Sequence, residues 1–62
     1  MKKQDLHANE AYIAFVAGQT KVVMLEHIIT SQSGKIVYVV RNPINNRRYR
    51  LFSAGKFKRK VT

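Results

Sequence analysis

KVVMLEHIITSQSGKIVYVVR, residues 21–41, is the stretch on which the fold turns. Its first ten residues are rich in β-branched and apolar side chains (Val22, Val23, Met24, Leu25, Ile28, Ile29), which suit a strand. Ser31, Gln32, Ser33 and Gly34 form a turn cluster. Residues 35–41 then alternate, with Ile36, Tyr38 and Val40 on one face and Val37 and Val39 on the other. Strand, tight turn and strand make an antiparallel pair. Both faces of the second strand are apolar, so cover is expected on each side of it.

Toward the C-terminus the pattern continues. Asn42, Pro43, Ile44, Asn45 and Asn46 read as a turn, because Pro43 has no N–H for a ladder and Asn tolerates left-handed backbone. Residues 47–53 form a third strand, which Ala54 and Gly55 break. Residues 56–62 are a short basic strand or tail.

Toward the N-terminus the signals are helical. Asp5 and Asn9 are cap candidates, Ala8, Ala11, Ala14 and Ala17 recur every third residue, and Gly18 stands where a helix would stop. A rival reading makes residues 12–17 a strand, paired through Gly18, Gln19 and Thr20 with the next. The helix is preferred. Residues 1–4 are expected to fray. The predicted fold is therefore α+β in one domain, residues 1–62. An N-terminal helix precedes a small, highly curved antiparallel meander of three to five strands. A small barrel of the SH3 type is the most economical version.

Size and composition bound the function. A domain of 62 residues buries only about 60% of its unfolded surface and is marginal in stability. There is no cysteine, and His7 and His27 lie too far apart to suggest a zinc site. No metal and no cofactor are expected. No stretch reaches the ~18 apolar residues of a membrane helix, and the Lys2–Lys3 start is interrupted too soon for a signal segment. The expected compartment is the cytoplasm.

The charge is lopsided. The net charge is +9, and all of it comes from residues 35–62, which hold nine Lys and Arg and no acid. A basic face of this kind usually meets a polyanion. Alternation in the third strand puts Tyr49 and Leu51 on the core side and Arg48, Arg50 and Phe52 outside. In the last segment Phe57 and Val61 would close the core, leaving Lys56, Lys58 and Lys60 in an exposed row. Arg41, Arg47, Arg48, Arg50, Lys56, Lys58, Arg59 and Lys60 are the candidates for phosphate contact. Phe52, then Tyr38, are the candidates for stacking on unpaired bases. The plainer alternatives are lysines that guard an edge strand and aromatics that belong to the core.

An enzyme is not expected. Asp5, Glu10 and Glu26 form no close pair, and neighbours Glu26 and His27 would point to opposite faces of a strand. Gly18, Gly34 and Gly55 are isolated turn glycines, which excludes a phosphate loop. Glu26 is expected to pair with an arginine of the adjacent strand, Arg41 being the candidate. The expected function is a small nucleic-acid-binding module for RNA or single-stranded DNA rather than duplex. The alternative is a protein-binding regulator or inhibitor that docks on an acidic surface of a larger enzyme or ribonucleoprotein.

Overall fold

The computed structural model describes residues 1–61. Five strands appear among them: β1 (Glu10–Val16), β2 (Gln19–Thr30), β3 (Ile36–Arg41), β4 (Arg48–Leu51) and β5 (Phe57–Lys60). They form one antiparallel sheet in the order β4-β3-β2-β1-β5. Short 3-10 turns at Lys3–Asp5 and Ala54–Lys56 precede β1 and β5. Thr62, the end of the expected basic segment, lies outside the described residues.

The N-terminal helix is absent, and the rival strand takes its place. Tyr12, Ala14 and Val16 are buried while Phe15 between them is exposed, a period of two rather than 3.6. The three-residue spacing of the alanines has no structural counterpart. Aromatic and β-branched Tyr12, Ile13, Phe15 and Val16 outweigh the helix preference of Ala11 and Ala14 once β2 and β5 pair on either side. Ala17 and Gly18 form the turn to β2, both with positive φ (52° and 78°). That is the type I′ geometry of a two-residue hairpin, not a helix stop.

The sheet stays open, so the expected barrel of the SH3 type is not formed; β4 and β5 are its two edges. It is nonetheless strongly bent. β3 and β5 stand three strand steps apart, about 14 Å in a flat sheet. Yet the Tyr38 and Phe57 rings, one from each, meet edge to face with centroids 5.4 Å apart. Two bulges contribute to the bend. Glu26 is the extra residue of β2 opposite β3, and Lys58 the extra residue of β5 opposite β1. The core fills the concave side: Leu6, Tyr12, Ala14, Val16, Val23, Leu25, Tyr38, Val40, Leu51 and Phe57.

Residues 1–4, expected to fray, lie against the opposite end of the chain. The Met1 amino group donates to the carbonyl of Phe57 at 2.7 Å, and Leu6 enters the core. The hydroxyl of core Tyr12 accepts from the His7 N–H at 2.7 Å, which ties this segment to β1.

Candidate functional site

β2 is long because its two halves do different work. Residues 19–25 pair with β1, and residues 24–30 pair with β3. The far end of the β2–β3 hairpin therefore extends past β1. Ile28 and Ile29 are exposed there. On the outer face of β3 stand Val37 and Val39, half-buried with no helix or second sheet over them among the described residues. The cover predicted for that face is absent among the described residues.

β4 completes this surface. Its alternation is as expected: Leu51 is buried and Tyr49 packs on the core, while Arg48 and Arg50 point outward. Phe52 follows them and is 73% exposed. Ile29, Val37, Val39 and Phe52, with Arg48, Tyr49 and Arg50 of β4, line an open hollow of about 760 Å³. Its floor is apolar and its rim on the β4 side is guanidinium. Sequence reading found the rim and missed the floor. Val37 and Val39 were legible as apolar on a second face, but their exposure depends on what the rest of the chain leaves uncovered.

The expected pair between Glu26 and Arg41 forms, with Nε to Oε2 at 3.2 Å. Arg48 joins it from β4, Nε to Oε1 at 2.8 Å. One carboxylate thus bridges three strands. Its pKa is held below the usual range, chiefly by the Arg48 hydrogen bond and then, against the opposing effect of burial, by Arg41. Arg41 also donates to the Asn46 side chain at 2.9 Å. The bulge that places Glu26 here also removes its expected opposition to His27. His27 pairs with Val39, whose side chain lies on the outer face, so both residues face outward. His27 is exposed.

The remaining basic residues are dispersed. Arg47 is exposed in the turn that leads into β4, its backbone N–H on the Asn45 side chain. Lys56 lies over the Phe15 ring, 5.3 Å from its centroid. The bulge at Lys58 breaks the expected row of Lys56, Lys58 and Lys60. Lys60 takes the register of Tyr12, on the core side of β1, and reaches Glu10 at 3.0 Å. That contact is the main cause holding the Glu10 carboxyl below its usual pKa. Lys58 and Arg59 are exposed. Val61 is 38% exposed and does not close the core; Phe57 does.

Tyr38 is not available for stacking. It is 2% exposed, with its ring against Phe57. Alternation in β3 puts it on the same side as Val40, which is the concave side. Of the ten predicted contact residues, the sheet gathers Arg41, Arg48, Arg50 and Phe52 on one face, with Arg47 at its end.

Among the described residues no helix is long and apolar enough to cross a membrane, and no cluster of three His, Cys, Asp or Glu could hold a metal ion. Neither a family model, nor a curated protein, nor a solved structure matches the chain.

Proposed function

We propose that the protein is a small basic module that binds RNA or single-stranded DNA through the outer face of β3 and β4, in the cytoplasm. The observation that carries this reading is the joining of Arg41, Arg48 and Arg50 to an exposed Phe52 on one open face, with Arg47 in the turn at its end, in a chain of net charge +9. Guanidinium groups neutralise phosphates and release counterions, which gives affinity without sequence preference. Glu26 is the acid placed on this face by its contacts, and it is already engaged by two arginines.

The test is equilibrium binding to a single-stranded oligonucleotide over a range of salt. Affinity should fall linearly on a log–log plot. Replacing Arg47, Arg48 and Arg50 together by Gln should reduce the slope by about 2, at ~0.7 per lost phosphate contact. Absence of binding at low ionic strength, or an unchanged slope, overturns the reading.

A second reading rests on the floor of the hollow. An uncovered apolar strip of Ile29, Val37, Val39 and Phe52 also suits a protein interface, and the arginines would then meet an acidic partner. Capture of a partner from lysate that survives nuclease treatment favours this reading, and loss of the partner favours the first.

A further inference from the structure

The chain has six aromatic rings, and the fold uses most of them. Tyr12, Tyr38 and Phe57 are buried together. Tyr49 packs on the core with the Lys21 ammonium 5.8 Å from its centroid. Phe15 is 38% exposed and has Lys56 over its ring. Phe52 alone of the six is largely free, at 73%. It stands beside the apolar floor of Val37 and Val39, in a hollow whose 760 Å³ falls among the volumes of small-molecule sites, roughly 300–1,000 Å³.

We infer that this hollow is a site for one unpaired nucleobase, stacked on Phe52 over Val37 and Val39, within a single strand whose phosphates lie on Arg48 and Arg50. The inference rests on the nucleic-acid reading of this face and specifies what that face selects. The two arginines are two residues apart on β4, about 7 Å along the strand, comparable to the step between phosphates in an extended single strand. That spacing favours a strand over a free nucleotide. A base paired inside a duplex has both faces covered by its neighbours in the stack and cannot offer one to Phe52. The selection is therefore for an unpaired nucleotide, with little discrimination among bases, because every base has a stacking face.

Three single strands of matched charge and a duplex decide it: an all-thymine hexanucleotide, the same strand with one thymine among abasic residues, an all-abasic strand, and a fully paired duplex. Base–aromatic stacking is worth ~1–3 kcal/mol, so one thymine should tighten binding about tenfold over the all-abasic strand. The all-thymine strand should gain only a few fold more, the number of registers it offers. Binding of the duplex and of the all-abasic strand should not change in Phe52→Ala. Phe52→Ala should erase the thymine advantage and leave the salt slope unchanged, while Phe52→Trp keeps it. A thermal melt should show both variants folded, since Phe52 lies outside the core.

Equal affinity for thymine and abasic strands, or an equal loss on all four ligands in Phe52→Ala, overturns the base site and leaves charge-driven binding standing. An all-thymine strand that binds hundreds of times tighter than the one-thymine strand overturns the limit to one base. If poly-glutamate binds as tightly as the thymine strand, or no oligonucleotide binds, the base site and the nucleic-acid reading both fall.

Discussion

Glu26 occupies the extra position of the β2 bulge, and its carboxylate holds Arg41 and Arg48 in place. Any phosphate that approaches those guanidinium groups competes with it. Glu26→Gln should therefore raise affinity for a single-stranded oligonucleotide at low salt, measured by fluorescence anisotropy; unchanged affinity would mean that neither arginine meets the ligand. The same pair has a pH signature. The Glu26 carboxyl has a lowered pKa in the folded protein, so its contribution to stability is full above the ordinary carboxylate range. It is lost as pH falls through that range to the depressed value. Glu10, held by Lys60, behaves alike. Melting temperature should drop on the acid side of the wild type and drop less in Glu26→Gln. The Glu26–Arg41 pair was legible in the sequence, because Glu26 is the one acid of residues 21–41 and Arg41 ends the next strand. The third member, Arg48, was not, since it depends on β4 lying beside β3 in one register.

At the level of elements, the turn between β1 and β2 decides what the first third of the chain becomes. Ala17 and Gly18 both sit in left-handed backbone. An L-residue there costs ~1–2 kcal/mol, and Ala17 bears that cost while Gly18 does not. Ala17→Asn, which restores the preferred Asn-Gly pair, should stabilise the protein by about 1 kcal/mol. That corresponds to roughly 4–8 °C in Tm for a domain of this size. Gly18→Ala should destabilise by about 1–2 kcal/mol; an added Cβ would meet nothing within 4 Å, so the cost is backbone strain alone. Thermal melts of the two variants should move in opposite directions. The helix reading of this stretch failed for a related reason. Alanine carries no signal for positive φ, so Ala17 looked like the end of a helix rather than half of a turn.

For the molecule as a whole, Phe57 joins the end of the chain to its beginning. Its ring meets Tyr12 of β1 at 5.6 Å and Tyr38 of β3 at 5.4 Å, edge to face in both cases. Without it the concave side loses the ring that joins β5 to Tyr12 and Tyr38. Phe57→Ala should cost ~3–5 kcal/mol, against a total stability of ~3–9 kcal/mol for a chain of 62 residues. The variant should lose its cooperative melt by circular dichroism. A clean transition close to the wild-type Tm would show that the sheet holds its curvature by other means.

The sequence by itself determined the strands that alternate clearly, the turns rich in Asn, Gly and Ser, the inward side of β4, and a charge gathered in the last 28 residues. Those features are local: each depends on side chains within a few positions of one another. Tertiary structure alone decided that residues 10–16 are a strand, that Tyr38 is core and that the lysine row of the last segment is broken. It also decided that Val37 and Val39 stay uncovered beside Phe52. Each of these depends on which segment lies alongside which, and at which bulge the register slips. One extra residue turns every side chain beyond it to the other face, and no spacing along a single chain records where that residue will be.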